Sequence, residues 1–160
     1  MRIPSPRPLI AAAAVALVVG AGPATAVADD AAIKASVPAA FDALAKKERG
    51  AIAAMEYFNK HKRATKAGRK KVRAVRSSVR AFQTLLSAQQ ASTPQGESAK
   101  QALLKALDLE AKAMTRVDLA MKSANHASVT RTNRIIRRAN ETMIKAGKAA
   151  RKAVRQIAAL

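Results

Sequence analysis

The chain has 160 residues, of which 30 are Lys or Arg and 10 are Asp or Glu, so its formal net charge is +20. It contains no cysteine and only two histidines, which excludes disulfide bonds and zinc sites built from Cys and His. A surplus of positive charge this large favours an acidic partner without identifying it.

The first 28 residues have the layout of a secretory signal peptide. Two arginines precede an uncharged apolar stretch at residues 9–19, and Ala-x-Ala cleavage sites follow, ending at Ala26 and Ala28. A membrane-spanning helix needs about 20 apolar residues, so cleavage is favoured over a retained anchor. We therefore predict that residues 29–160 are secreted or reach the cell envelope, and the Ala- and Arg-rich composition is typical of a bacterial protein.

Four later segments repeat apolar residues every three or four positions, which places those residues on one side of a helix. The repeats predict amphipathic helices over residues 37–61, 69–90, 94–124 and 128–158. No comparable stretch alternates with a period of two, so no strand is predicted.

Local signals mark the ends of these helices. Ser36 is the predicted N-cap of the first helix, with Pro38 in its opening turn. Residues 62–68 form a polar, basic connection, and residues 92–97 offer a Ser or Thr cap, an early proline and an acid. The last two segments could form one long helix, but a turn near Asn125 is favoured.

Short connections between long amphipathic helices predict antiparallel neighbours. We therefore expect residues 29–160 to form a single all-α domain, an up-down antiparallel four-helix bundle. The alternative architecture is a pair of long helical hairpins that could dimerise.

Positive charge is unevenly distributed among the predicted helices. Residues 60–80 contain no acid, and the fourth helix repeats basic residues every three or four positions opposite its apolar seam. The third helix mixes both signs, as exposed helices usually do. The candidate anion-binding residues in the first cluster are Lys60, Lys62, Arg63, Lys66, Arg69, Lys70, Lys71, Arg73, Arg76 and Arg80. Those on the fourth helix are Arg131, Arg134, Arg138, Lys145, Lys148, Lys152 and Arg155.

In an up-down bundle, the 62–68 connection and the turn near Asn125 lie at the same end. We therefore predict a basic pole there, which combines the start of the first cluster with Lys122, Arg131 and Arg134. The absence of acids in the first turn of the second helix also suits an anion, because free amides at a helix start favour negative charge.

Neither a metal nor a cofactor is predicted. His61 and His126 have no acid at a spacing that would place a second ligand beside them. The sequence also lacks a glycine-rich phosphate loop and a G-x-S-x-G motif, so no enzymatic activity is expected.

Base recognition is poorly supported, because stacking on nucleobases requires exposed aromatic rings. Phe41, Phe58 and Phe82 fall on core stripes, which leaves only Tyr57. Sequence-specific recognition of nucleic acid is therefore not expected.

Glu48 and Glu110 each continue the apolar stripe of their own helix. As a buried pair, they could share a proton or hold a metal. The favoured interpretation is that each lies at the edge of its stripe and pairs with Lys or Arg.

The leading hypothesis for function is an exported cationic bundle that binds an anionic polymer or surface by electrostatics. Cell-envelope polymers, acidic lipid headgroups and extracellular nucleic acid are the candidate partners. The alternatives are a helical module for protein–protein interaction or homo-oligomer formation without a polyanion, a charge that serves solubility alone, and a chain that folds only on its partner.

Overall fold

The structure is a computed structural model that describes residues 29–125 and 129–160. It contains four helices, α1 (Asp30–His61), α2 (Lys66–Ser87), α3 (Pro94–Ser123) and α4 (Val129–Ala158). The predicted leader, His126 and the predicted first residue of the fourth helix lie outside the described residues. The described part of the chain has no strand, and the predicted up-down four-helix bundle is confirmed.

Contacts at one end of the bundle show that neighbouring helices run antiparallel. The Lys34 Nζ donates to the Ala158 carbonyl at 3.2 Å, which joins the start of α1 to the end of α4. The Asp29 N–H donates to the Gln90 carbonyl, also at 3.2 Å, which joins the start of α1 to the α2–α3 connection. No Cα atom of α2 lies within 8 Å of α4, so these two helices occupy opposite corners of the bundle.

The core follows the apolar stripes that the periodicity predicts. Phe41, Phe58 and Phe82 are all buried, and the rings of Phe41 and Phe82 meet edge to face with their centroids 5.2 Å apart. Small buried residues on α4, such as Ala146 and Gly147, allow α3 and α4 to approach most closely. None of the described helices combines the length and apolar character needed to cross a membrane.

The predicted start of the first helix was wrong. The helix begins at Asp30 rather than at 37, and its N-cap is Asp29, whose side chain accepts the Ala31 N–H at 2.9 Å. The cause is Ile33, a fully buried residue that extends the apolar stripe by one turn. Pro38 consequently lies inside the helix, and the Ser36 hydroxyl donates to the Ile33 carbonyl instead of capping.

The second helix is also shifted from its predicted bounds of 69–90. It begins at Lys66, because the Thr65 hydroxyl caps it by accepting the Gly68 N–H at 2.9 Å. It ends at Ser87, and the residues that follow are held by other parts of the bundle. The buried amine of Lys100, for example, donates to the Gln89 carbonyl at 3.1 Å.

The start of α3 agrees with its prediction. Thr93 is the N-cap and accepts the Gly96 N–H at 2.9 Å, Pro94 opens the helix, and Glu97 lies in the first turn. Asp30 accepts hydrogen bonds from the Ser92 N–H and the Thr93 hydroxyl, so α1 is fastened to this connection. A Cβ atom on Gly96 would collide with the Asp30 carboxylate, which explains the glycine.

At the opposite end of the bundle, the side chain of Asn125 joins the turn after α3 to the α1–α2 connection. The Asn125 amide accepts the Ala64 N–H at 3.2 Å and donates to the Ala64 carbonyl at 3.1 Å. The α1–α2 connection and the turn after α3 therefore lie at the same end, as predicted. Turn residues at positions 124 and 125 also separate α3 from α4 instead of one continuous long helix.

We predict that Asn125→Ala lowers the free energy of unfolding by about 1–2 kcal/mol, because two hydrogen bonds between connections are lost. Urea denaturation followed by circular dichroism measures this change. The matched variant Asn125→Asp keeps the acceptor and loses the donor, so it should fall between the wild type and alanine. Equal stability of all three proteins would show that this contact does not hold the end together.

Candidate anion-binding surface

The net positive charge of the bundle is carried by two of its four helices. α2 contains seven Lys or Arg and no acid, and α4 contains nine with Glu141 as the single acid. α1 and α3 are close to neutral, because each sets five Lys or Arg against four acids. Since α2 and α4 are at opposite corners, the charge forms two separate basic faces.

We call the exposed cations of these helices the α2 face and the α4 face. The α2 face consists of Lys66, Lys70, Lys71, Arg73 and Arg80. The α4 face consists of Arg131, Arg134, Arg137, Arg138, Lys145, Lys148, Arg151, Lys152 and Arg155. All candidate residues of the fourth helix are therefore on the surface, together with Arg137 and Arg151. The strict spacing of three and four had missed these two arginines, although their exposure and sign place them in the same surface.

Part of the first predicted cluster contacts α3, although the side chain of Arg73 remains 52% exposed. The Arg69 Nε lies 2.8 Å from one carboxylate oxygen of Asp118, and the Arg73 Nε lies 3.0 Å from the other. Arg76 donates to the Thr115 hydroxyl at 3.5 Å. Residues 60–80 contain no acid, but the fold brings Asp118 of α3 beside this cluster.

The ion pairs alter the titration of Asp118. Its partial burial raises the pKa, but the hydrogen bonds and positive charges of Arg69 and Arg73 outweigh this effect. The pKa of Asp118 therefore lies below its ordinary value, and the carboxylate is ionised at neutral pH. The charge of Arg69 and Arg73 is consequently offset in part, and the α2 face is weaker than its sequence indicates.

The C-terminal half of the α4 face borders an open groove of about 450 Å³. Its lining consists of Lys148, Arg151, Lys152, Arg155, Gln156 and Ala159. Four cations line this groove, and no acid does. A chain of phosphate or carboxylate groups could lie along it and contact several cations at once.

The predicted basic pole is assembled at the end that Asn125 joins. Lys60, Lys62, Arg63, Lys66, Lys70, Lys71, Lys122, Arg131 and Arg134 are exposed in this part of the molecule, whereas Arg69 is half-buried. Lys62 caps α1 in the left-handed region, with φ of 54°. Neither α2 nor α4 has an acid in its first turn, so the helix dipoles add to the positive potential. Tyr57 is exposed nearby, with its ring 4.3 Å from that of His61.

The interpretation of Glu48 and Glu110 as edge residues was wrong. Glu48 is 5% exposed and Glu110 is completely buried. Neither carboxylate oxygen of Glu110 accepts a hydrogen bond from any described residue. Burial, together with the nearby charge of Glu48, raises the pKa of Glu110 to about 8. Glu110 is therefore mostly protonated at neutral pH.

This acidic pair gives little support to a metal centre. The described residues include no group of three or more His, Cys, Asp or Glu side chains that could hold an ion. Zinc sites use at least three protein ligands, and this pair supplies two. The pair is therefore expected to affect the stability of the bundle, and the surface cations remain the candidate binding site.

The chain matched no protein-family model, no curated protein sequence and no solved structure.

Proposed function

We propose that this protein is exported and binds an anionic polymer or surface through the cations of its α4 and α2 faces. The observation that carries the proposal is the segregation of charge, with two strongly cationic helices and two nearly neutral ones in one bundle. Cell-envelope polymers, acidic lipid headgroups and extracellular nucleic acid all supply the repeated negative charge that such faces attract.

Placing like charges on the same helix lowers its stability, so selection for folding alone does not explain the segregation. Like charges four residues apart, such as Arg134 with Arg138 and Lys148 with Lys152, each destabilise a helix by about 0.2–0.5 kcal/mol. The same chain uses the favourable arrangement elsewhere, since the Lys112 Nζ lies 2.6 Å from the Asp108 carboxylate on α3. Selection for stability alone would have placed more such pairs on α4 than the one between Arg137 and Glu141.

Solubility is also an insufficient reason for this amount of charge. A small domain stays soluble with a net charge of about 2–8. Residues 29–160 carry +18, because 28 of the 30 Lys and Arg and all 10 acids follow the leader. The surplus therefore favours a binding role over a purely solvating one.

The apolar surface gives less support to the alternative of a protein-binding or self-associating module. The large exposed apolar residues of the described chain are Tyr57, Leu85, Leu119, Val129 and Ile144. They come from all four helices, and no helix contributes more than two. A partner helix or a second copy would instead need a continuous apolar stripe.

The mechanism follows from the physics of polyelectrolytes. Lysines and arginines that approach a polyanion replace its condensed counterions, and the release of these ions drives binding. Affinity then falls as salt rises, with little dependence on sequence. Contacts to six phosphates of duplex DNA would give a slope of about −5 in a plot of log K against log salt.

Binding of the purified protein to three labelled probes across a salt series tests the proposal. The probes are inorganic polyphosphate, duplex DNA and phosphatidylglycerol vesicles, with dextran as the uncharged control. We expect salt-sensitive binding to at least one anionic probe and none to dextran. If the protein bound none of the three anionic probes at low salt, the proposal would be contradicted.

A further inference from the structure

The two basic faces point away from each other. No Cα atom of α2 comes within 8 Å of α4, and the nearly neutral helices α1 and α3 lie between them. Neighbouring helices pack about 8–10 Å apart, which places the axes at opposite corners about 13 Å apart. With side chains included, the outer surfaces are separated by roughly 20 Å or more.

Away from the basic pole, where the cations of both helices meet, this separation makes the faces electrostatically independent. The Debye length is about 10 Å at 0.1 M salt, so a polymer on one face is screened from the cations of the other. Each face is also long enough to hold a polymer segment by itself. From its first to its last cation, the α4 face covers residues 131–155, or about 36 Å, and the α2 face covers residues 66–80, or about 21 Å, at 1.5 Å per residue.

The faces differ in strength. Asp118 pairs with Arg69 and Arg73 on the side of α2 next to α3, so the outward charge of the α2 face depends on Lys66, Lys70, Lys71 and Arg80. The α4 face has nine exposed cations and one acid, Glu141, which lies 4.0 Å from Arg137. The α4 face should bind first and more tightly.

We propose that one molecule bridges two segments of a linear phosphate polymer, one on the α4 face and one on the α2 face. This inference rests on the proposed function. A linear polymer fits the arrangement better than a membrane does, because a flat surface can meet only one of two opposite faces. Bridging would convert a polymer-binding protein into one that cross-links and condenses its ligand.

The test counts the polymer strands bound to each protein molecule. The purified protein is mixed with an excess of short single-stranded oligothymidylate at low salt, and sedimentation gives the mass of the complex. We expect two oligonucleotides per protein. The protein without oligonucleotide is measured in parallel, so that a protein dimer is not mistaken for a bridge.

Three variants, each with four fewer positive charges, show which basic face binds each oligonucleotide. The α2 variant carries glutamine at Lys66, Lys70, Lys71 and Arg80. The α4 variant carries it at Lys145, Lys148, Lys152 and Arg155. The control variant carries it at Lys46, Lys47, Arg49 and Lys105, on the two balanced helices. All these positions are exposed and glutamine is a good helix former, so each variant should keep the wild-type circular dichroism spectrum.

The α2 variant should bind one oligonucleotide, and the control variant should bind two. The α4 variant keeps Arg131, Arg134, Arg137, Arg138 and Arg151, so we expect it to bind its α4 strand at least about tenfold more weakly than the wild type. One strand per wild-type molecule would overturn bridging and leave the proposed function intact. Absence of any binding at low salt would instead overturn both. Binding confined to phosphatidylglycerol vesicles would overturn the choice of a polymer and support a membrane surface.

Discussion

Glutamine at Lys145, Lys148, Lys152 and Arg155 is expected to weaken binding to duplex DNA by roughly a hundredfold to a thousandfold at about 0.1 M salt. Each phosphate contact contributes about 0.9 to the slope of log K against log salt, so the magnitude of the slope should fall by about 3 to 4. Lys148, Lys152 and Arg155 line the groove on α4, and Lys145 is exposed on the same helix. Fluorescence anisotropy at several salt concentrations gives both quantities.

The control variant on α1 and α3 tests whether the loss of binding depends on where the charge is removed. It lowers the net charge by the same four units, but its positions belong to the balanced helices. If only the net charge of the protein mattered, both variants would lose the same amount of affinity. We expect the control to change the slope by less than about 1, because its side chains contact few phosphates. Equal losses in the two variants would show that the α4 face is not a docking surface.

The free energy of unfolding should fall as pH rises from about 5 to 8, through the titration of Glu110. Its pKa is about 8 in the folded protein, against an ordinary value of 4.5. Between these values the folded state holds a proton that the unfolded state has released. The contribution of Glu110 to stability is therefore fully present below the unfolded pKa, and it is lost at up to about 1.4 kcal/mol per pH unit as pH rises toward the folded pKa.

Replacing the buried acid removes this dependence. Glu110→Met fills a similar volume with an unbranched apolar side chain, so it should raise the free energy of unfolding at pH 8 by about 2–4 kcal/mol. The gain should shrink toward pH 5, where the wild-type Glu110 is fully protonated in the folded state. Urea denaturation at pH 5, 7 and 9 measures the effect.

An exposed acid provides the matched control for this substitution. Glu141→Met makes the same chemical change at an exposed position of α4, so it shows how far the effect of Glu110→Met depends on burial. Asp118 acts at the other end of the pH scale, because its pKa is lowered and its contribution disappears only as pH falls toward its folded pKa. A wild-type pH slope that persists in Glu110→Met would refute the assignment.

The helices and their order could be predicted from the sequence, because apolar periodicity is a local property. A residue three or four positions from another lies on the same side of a helix whatever surrounds it. The Thr93 cap was predictable for the same reason, since its hydroxyl reaches an amide three residues away. The start of α1 was missed because its signals are weak, with one apolar residue, Ile33, among alanines and polar residues.

The sequence predicts some properties of the charged residues, and the packing of the helices decides the others. Their number and their concentration on two helices were fixed by the order of residues, and so was the nearly uniform sign of the α4 face. Whether a cation faces solvent or an acid depends on which helices are neighbours. Asp118 lies far along the chain from Arg69 and Arg73, and only the packing of α3 against α2 brings its carboxylate to them.

Packing of the bundle likewise decided the environment of Glu110. An acid on an apolar stripe can reach solvent if its helix lies at an edge, and it is buried if its neighbours enclose the stripe. Periodicity is identical in the two cases, because it records the direction of a side chain on its own helix and contains nothing about the helices opposite. The placement of α2 and α4 at opposite corners has the same origin in the assembly of the four helices.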